Sequence, residues 1–312
     1  MRNIIIDCDP GHDDIIAIMV AVAHNKELNL LGFTTVAGNQ TLPKVTNNLL
    51  KVQSYFGWNY PVSMGYDSPM IRPLEGQPAA HGESGMDGPV LAESPLKPTG
   101  MHAIEYMRKT LSEAREKVTF VCIGPLTNMG LFLKTYPELQ EKIDCIAIMG
   151  GGIYNGNILT KAEFNIYHDP DAAKIVFESG VKVIMAGIEV CYSGSILLTE
   201  TEKAKVGGRA SKLFYDLMQF YQRYAIRNGW DRTAIFDCTP IIYLLHPEYF
   251  VKEERDVHIE TVGEYCRGMT VVDTRGYADE IKNPKTVLVS VDREKFVDVI
   301  FESLNILDQQ YA

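Results

Sequence analysis

The sequence has little positive charge and no long apolar segment, and both absences exclude classes of protein. Its 312 residues carry 30 basic and 40 acidic side chains, for a formal net charge of −10. A phosphate-backbone binder needs a clustered basic surface, so we expect no nucleic-acid partner. The apolar run over residues 15–23 is well short of the roughly 20 residues that cross a bilayer, so we expect no membrane partner. Because carboxylates precede that run, we also expect no signal peptide, which would begin with a basic region.

Cysteines are few and widely spaced, and no CxxC pair is present. In a chain of this size, such cysteines are typical of reduced, buried thiols in a cytoplasmic protein. The six positions are Cys8, Cys122, Cys145, Cys191, Cys238 and Cys266.

Short β-branched apolar runs alternate with longer helical patterns, which predicts parallel βαβ units. We therefore expect an α/β fold: one domain over residues 1–312, with an open, mostly parallel sheet flanked by helices. The proline- and glycine-rich stretch 60–98 is expected to be irregular, and loops of that length are usually functional. Strands are predicted at 3–6, 28–35, 118–123, 143–149, 181–186 and 287–291, with a hairpin at 257–262 and 269–273. Helices are predicted at 14–24, 43–56, 101–114, 126–135, 170–179, 212–227, 238–245 and 292–307.

The most informative segment is the octet DCDPGHDD at residues 7–14. It falls where the first strand ends and the first helix begins, and ligands of open α/β sheets bind at the carboxyl ends of strands. Asp7 and Asp9 share one face of an extended segment, and Asp13 and Asp14 follow at the helix start.

Helix capping explains one of these aspartates, but not four carboxylates within eight residues. Such a group repels itself unless a cation or shared protons offset the charge. Oxygen-only ligands favour a hard cation, calcium or magnesium, so the octet predicts a metal site. Polar groups after other predicted strands point to the same edge of the sheet. They lie at Asn39, in His81-Gly82-Glu83-Ser84-Gly85, in Gly124-Pro125-Leu126-Thr127-Asn128 and in Glu163-Phe164-Asn165.

The octet, together with TTVAGNQ, HGESG, GPLTN, GNILTKAEFNIYHDP and FDCTP in this order, resembles the inosine–uridine nucleoside hydrolase family over nearly the whole chain. The resemblance implies an open α/β sheet, one bound Ca²⁺, and hydrolysis of the N-glycosidic bond of ribonucleosides to ribose and free base. It also implies direct displacement with inversion at the anomeric carbon. Homo-oligomers, dimers or tetramers, are common in the family, so we expect one here.

Position by position, the resemblance implies roles for individual residues. Asp9 resembles the general base, and Asp7 beside it occupies a calcium-site position, so both are counted with the metal site. Asp14 and Asp237 resemble the carboxylate ligands of calcium, and Ile123 resembles the residue that offers its main-chain carbonyl. The residues that match ribose-binding positions are Asp13, Asn39, Asn157, Glu163 and Asn165, and the expected substrate contacts also include Phe164 and Asp237.

Phe236 stands where many family members carry a histidine that protonates the departing base. The resemblance associates an aromatic residue at this position with purine preference, through stacking on the base. His81 in HGESG is then a second candidate catalytic residue, for base contact or proton donation. A group of residues ahead of Phe236 is predicted either to cover the base as a lid or to form a half-buried helix end. Its members are Tyr221, Tyr224, Arg227 and Trp230.

Two other functions compete with ribonucleoside hydrolysis. An aspartate-nucleophile phosphohydrolase also has a DxD after its first strand, but Pro10-Gly11 and the Asp13-Asp14 pair disagree with it. A non-catalytic ribonucleoside-binding protein that keeps the metal site is favoured by Phe236 and disfavoured by Asp9.

Overall fold

The computed structural model describes residues 1–75, 78–275 and 281–311. Eleven strands and twelve α-helices are found within these ranges. The strands are β1 (Arg2–Cys8), β2 (Leu28–Thr35), β3 (Val62–Met64), β4 (Val118–Cys122), β5 (Ile143–Met149), β6 (Val183–Ala186), β7 (Ile196–Leu197), β8 (Arg232–Thr233), β9 (Phe250–Ile259), β10 (Thr270–Val272) and β11 (Pro284–Val291). The helices are α1 (His12–Ala23), α2 (Leu42–Phe56), α3 (Pro78–His81), α4 (Ala103–Glu113), α5 (Thr127–Thr135), α6 (Phe164–His168), α7 (Pro170–Glu178), α8 (Ile188–Ser193), α9 (Arg209–Tyr221), α10 (Arg223–Arg227), α11 (Cys238–Leu245) and α12 (Arg293–Gln310).

Nine strands form one sheet in the order β10-β9-β11-β6-β5-β4-β1-β2-β3. The pairs from β3 across to β11 are parallel, and β9 runs antiparallel to both β11 and β10. This confirms the predicted α/β class with a mostly parallel sheet. β1 lies between β2 and β4, so the segments that follow these three strands meet at one edge.

Helices cover both faces of the sheet because alternate strand residues point to opposite sides. Ile4 and Ile6 pack with apolar side chains of α1, α2, α9, α11 and α12, whereas Ile5 packs with those of α4, α5 and α7. All twelve residues of α1 are buried, which confirms the prediction of a helix that is apolar all round.

Several boundaries differ from the sequence-based expectations. The helix predicted at 212–227 is broken at Gln222 into α9 and α10. The irregular stretch 60–98 contains β3 and α3, and its residues 76 and 77 lie outside the described ranges. The short helices α6 and α8 were not predicted, since neither is long enough to show a helical period.

The six cysteines are unpaired thiols, and all but Cys266 are buried. No helix among the described residues is long and apolar enough to cross a bilayer.

Candidate active site

The Asp9 carboxylate lies at the carboxyl edge of the sheet, directly after β1, and is buried. The main-chain N–H of Asn39, which follows β2, donates to Oδ2 of Asp9 at 2.7 Å. A Cβ atom at Gly38 or Gly124 would overlap the Asp9 carboxylate, so the absence of a side chain at both positions makes room for it. Burial, and then the charge of Asp14, raise the pKa of Asp9 well above its usual range.

Asp14 lies on the first turn of α1 and contacts the main chain that connects β1 to this helix. Its carboxylate accepts hydrogen bonds from the N–H of Gly11 at 2.9 Å and of Asp9 at 3.2 Å. Gly11 is the N-cap residue of α1, so Asp14 holds the N-cap main chain from the third helical position and is not itself the N-cap that the simpler interpretation expected. Its carboxylate also lies close to those of Asp13 and Asp237. Burial, and then the nearby Asp13, raise the pKa of Asp14 to about 7.

Asp13, Asp14 and Asp237 form the group that fits a metal ion. One carboxylate oxygen from each lies within 4.8 Å of those of the other two, and all three residues are buried. Oδ1 of Asp13 is buried without a hydrogen-bond partner, and burial raises the pKa of the Asp237 carboxyl well above its usual range. A cation would supply the missing partner and offset the crowded charge, so this oxygen-only group could bind a metal.

Asp7 and Asp9 are not members of this three-carboxylate group. Asp7 lies in β1, where Oδ1 accepts from the hydroxyl of Thr34 at 2.6 Å and from the amide of Asn128 at 2.8 Å. Oδ2 of Asp7 has no partner, and burial raises its pKa to about 7. Neither Thr34 nor Asn128 was singled out from the sequence, although Asn128 ends the GPLTN segment.

The Ile123 carbonyl, at the end of β4, reaches the same edge. It accepts a 3.0 Å hydrogen bond from the side-chain amide of Asn165, which also donates to the carbonyl of Met149 at 3.1 Å. Asn165 therefore ties together the ends of β4 and β5, and it lines the same cavity as Ile123.

Glu163 begins α6, and its carboxylate is held by main-chain donors. It accepts from the N–H of Asn165 at 3.0 Å, of Gly151 at 2.9 Å and of Ile166 at 3.2 Å. Burial outweighs these bonds and raises the pKa of Glu163 to about 7. Asn157 lies on the preceding loop, where its side-chain oxygen accepts from the N–H of Phe164 at 2.9 Å.

His81, at the end of α3, lies against the octet and contacts His12. The two Nδ1 atoms are 3.1 Å apart, and Nε2 of His12 is 2.8 Å from the Asp87 carbonyl. Burial lowers the pKa of both imidazoles to about 4, so both rings are neutral near pH 7. His12 was not singled out from the sequence, because a histidine between acidic residues has no period or spacing that marks it.

A cavity of about 910 Å³ lies at this edge, lined by carboxylate and amide side chains and by aromatic rings. The predicted metal-site residues Asp7, Asp9 and Asp14 do not line it. Tyr221 donates a 3.0 Å hydrogen bond to Oδ2 of Asp13 and so links the aromatic rings to the carboxylates. Arg227 is exposed and does not line the cavity, so the structure does not bring it to the predicted lid. Tyr192 lines the cavity, although it was not predicted from the sequence. The predicted residues that line the cavity are Asp13, Asn39, His81, Ile123, Asn157, Glu163, Phe164, Asn165, Tyr221, Tyr224, Trp230, Phe236 and Asp237.

The open α/β sheet with a carboxylate- and aromatic-lined cavity at its carboxyl edge has the fold of the nucleoside hydrolases, as comparison with solved structures shows. A plant nucleoside hydrolase superimposes with a TM-score of 0.89 at 28% identity, over 97% of this chain and 99% of that one. A purine-preferring ribonucleoside hydrolase from Gardnerella vaginalis superimposes with a TM-score of 0.91 at 26% identity, over 99% and 100%.

Sequence comparison narrows the class to a family. The model of the inosine-uridine preferring nucleoside hydrolases matches residues 4–298. A pyrimidine-specific ribonucleoside hydrolase, RihA of Escherichia coli O7:K1, is 44% identical over 305 residues, 96% of this chain and 97% of that protein. The chain therefore belongs to the inosine-uridine preferring nucleoside hydrolase family. Its reaction is the hydrolysis of ribonucleosides to ribose and free base.

Proposed function

We propose that the enzyme cleaves the N-glycosidic bond in one displacement, with Asp9 as the general base. The observation that carries this proposal is the placement of a buried carboxylate, fixed by the 2.7 Å hydrogen bond from Asn39, next to the three-carboxylate group. The raised pKa of Asp9 makes it a stronger proton acceptor than a solvated carboxylate.

In this step the oxygen of a water molecule forms a bond to the anomeric carbon while the carbon–nitrogen bond breaks. One proton of that water passes to Asp9, and the bonding electron pair leaves with the base, which takes up a proton from solvent or from His81, the candidate donor that lines the cavity. Positive charge develops on the sugar in an oxocarbenium-like transition state, and the surrounding carboxylates stabilise it. A β-ribonucleoside then yields α-ribose as the first product, which NMR of early reaction mixtures detects. β-Ribose as the first product would contradict direct displacement.

Calcium is the metal we propose, held by Asp14, Asp237 and the carbonyl of Ile123, with Asp7, Asp9 and Asp13 close by. The oxygen-only donor set and the unpartnered oxygen of Asp13 support a hard cation. When bound, such an ion supplies Lewis-acid polarisation and orients water and sugar oxygens. The ribose contacts we propose are Asp13, Asn39, Asn157, Glu163 and Asn165.

Pyrimidine ribonucleosides are the substrates we propose as preferred, because the RihA relative at 44% identity is named pyrimidine-specific. Purine preference is the second candidate, and Phe236 supports it by adding a stacking surface to the base end of the cavity. Tyr192 packs edge-on to Phe236 at 5.5 Å and holds that ring in place.

Incubation with uridine, cytidine, inosine and adenosine, followed by reducing-sugar detection, tests activity and preference together. Faster ribose release from uridine and cytidine is expected. Binding of all four without ribose release would instead identify a non-catalytic ribonucleoside-binding protein. Phosphate release from a phosphomonoester with Mg²⁺, in the absence of nucleoside cleavage, would identify a phosphohydrolase.

We also propose that the enzyme is a cytoplasmic homo-oligomer, a dimer or tetramer. Five buried thiols support a reducing compartment. Light scattering after gel filtration measures the assembled mass against the 35.0 kDa chain.

A further inference from the structure

Five successive main-chain N–H groups after β5, at residues 151–155, all donate to side chains. The first donates to the carboxylate of Glu163 at 2.9 Å, and the second to the hydroxyl of Thr270 at 2.8 Å. The other three donate to the carboxylate of Glu189 at 2.9, 2.8 and 3.2 Å. Side chains from other parts of the fold therefore hold this segment, in place of the main-chain bonds of a helix or a sheet.

Glu189 supplies most of this support from α8, where it is half-buried and does not line the cavity. The N–H of Ile188, in the same helix, donates to the carbonyl of Gly151 at 2.9 Å. Hydrogen bonds to an ionised acceptor are about twice as strong as those between neutral groups. The helix α8 therefore holds the segment at its first residue and over its last three.

The segment depends on such support because its own main chain does little to fix it. Gly151 has a φ of +80°, in the left-handed region that favours glycine, and glycine loses more conformational freedom on folding than any other residue. Without the Glu189 carboxylate, three main-chain N–H groups would lose their acceptors, and other loop conformations would compete with this one.

Asn157, two residues beyond the segment, lines the cavity. Its side-chain oxygen accepts from the N–H of Phe164 at 2.9 Å. A main-chain N–H only donates, so this bond fixes which end of the amide is oxygen and which is nitrogen. Among the residues that the structure describes, none accepts a hydrogen bond from that nitrogen. The NH2 group of Asn157 is therefore available to a ligand.

We propose that Glu189 is a positioning residue, which fixes residues 151–155 so that the amide of Asn157 donates a hydrogen bond to the ribose. The identity of the ligand rests on the proposed function. Glu189 does not line the cavity, so it acts on the substrate only through the loop. Because the loop is fixed before the substrate arrives, binding does not have to order it.

Hydrogen exchange of the ligand-free enzyme, read by mass spectrometry, tests whether Glu189 holds the loop. Glu189→Ala removes all three acceptors and should speed exchange at residues 151–157. Glu189→Gln keeps one acceptor oxygen without the charge and should have an intermediate effect. Asp308→Ala is the matched control, because that carboxylate likewise accepts from three main-chain N–H groups, at the start of α9, at 2.9, 2.6 and 3.2 Å. It should leave exchange at 151–157 unchanged.

A double-mutant cycle with Asn157→Ala separates positioning from a general loss of stability. Loss of one hydrogen bond to the ribose should lower kcat/KM for uridine by about three- to tenfold in Glu189→Ala and in Asn157→Ala. If Glu189 acts through Asn157, the double variant should be no slower than the slower single variant. Asp308→Ala should keep the wild-type kcat/KM. Calcium affinity should be unchanged in Glu189→Ala, because the three-carboxylate group lies outside this loop.

Three results would overturn the proposal. They are unchanged exchange at 151–157 in Glu189→Ala, losses of kcat/KM that multiply in the double variant, and an equal loss in Asp308→Ala. If Glu189→Ala does not fold, Glu189→Gln takes its place in the same cycle. If the wild type hydrolyses no ribonucleoside, the proposed function fails, and the affinity for uridine, measured by calorimetric titration, replaces kcat/KM in the cycle.

Discussion

The main-chain N–H of Asn39 holds Oδ2 of Asp9 at 2.7 Å, while the Asn39 side chain donates to the Asp9 carbonyl at 3.2 Å. Two adjacent strands, β1 and β2, are thereby joined beyond their ends by a pair of hydrogen bonds. The Asp9 carboxylate is held by the main-chain N–H of Asn39. An isosteric substitution at position 9 can therefore remove the negative charge and keep this hydrogen bond.

Asp9→Asn should therefore lower kcat strongly and leave binding nearly intact. The amide keeps the shape of the carboxylate and an oxygen for the Asn39 N–H, but it does not take up a proton. Loss of a general base typically lowers the rate by about 10²- to 10⁴-fold. Uridine hydrolysis measures the rate, and calorimetric titration measures binding. The exposed Asp144→Asn is the control, and near-normal turnover by Asp9→Asn would show that another group is the base.

Asp237→Asn should weaken metal binding, because it removes the charge of one of the two carboxylates proposed to hold calcium, in a buried group of three. After treatment with a chelator, calorimetric titration should give one Ca²⁺ per wild-type chain and at least about tenfold weaker binding to the variant. A saturating ligand that binds only the folded state stabilises it by about 2.7 kcal/mol at 100 times its Kd. Calcium should therefore raise the Tm of the wild type more than that of the variant.

The exposed cavity residue Asp231 provides the matched control for that experiment. Asp231→Asn removes the same charge from the rim of the cavity and should bind calcium as the wild type does. Equal calcium affinity in Asp237→Asn and the wild type would place the metal elsewhere.

Phe236→Leu should slow cleavage of nucleosides by removing a surface on which the base stacks. An aromatic contact contributes about 0.5–1.5 kcal/mol beyond burial, which corresponds to about two- to tenfold in kcat/KM. The loss should be larger for inosine and adenosine, because their two-ring bases offer a larger stacking surface. Phe301→Leu, on α12, is the control for the loss of an aromatic ring. Unchanged kinetics of Phe236→Leu would exclude stacking at this position.

The Glu163 carboxyl should make the free energy of unfolding depend on pH between about 4.5 and 7. Its pKa is raised from 4.5 to about 7 in the folded protein, so between these values the folded state binds more protons than the unfolded state. Stability should then fall as the pH rises from about 4.5 to 7, by up to about 3 kcal/mol from this group, and level off above that. Denaturant unfolding of the wild type and Glu163→Gln at several pH values isolates the contribution. Parallel stability curves for the two proteins would contradict the raised pKa.

Local patterns in the sequence were sufficient to predict the fold class. The apolar runs at β1, β4 and β5 and the uninterrupted apolar surface of α1 predicted a buried parallel sheet, and the structure confirms them. Boundaries were less predictable where tertiary contacts decide them. Gln222 interrupts the predicted helix, and its side chain is buried and donates to the hydroxyl of Thr201 at 3.1 Å.

Parts of the candidate site could also be anticipated, because the octet and the segments after β2, β4 and β5 meet at one edge of a parallel sheet. Contacts between segments that are far apart in the sequence could not be anticipated. The support of Asp7 by Asn128 crosses 121 positions, and the contact between His12 and His81 crosses 69. For Arg227 the sequence-based prediction was wrong. It was grouped with Trp230, which is close to it in the sequence, but its side chain does not line the cavity.

The sequence by itself determined which residue types were available: an acidic octet at a strand–helix junction, an apolar sheet, and Phe236 in place of a histidine. Only the tertiary structure decided how they are used. Chain topology places β1 between β2 and β4, which brings Asn39 to Asp9. The packing of α11 against α1 places Asp237, at the start of α11, beside Asp13 and Asp14. Burial then raises the carboxyl pKa values, because desolvation penalises charge, and no local pattern of residues encodes that environment.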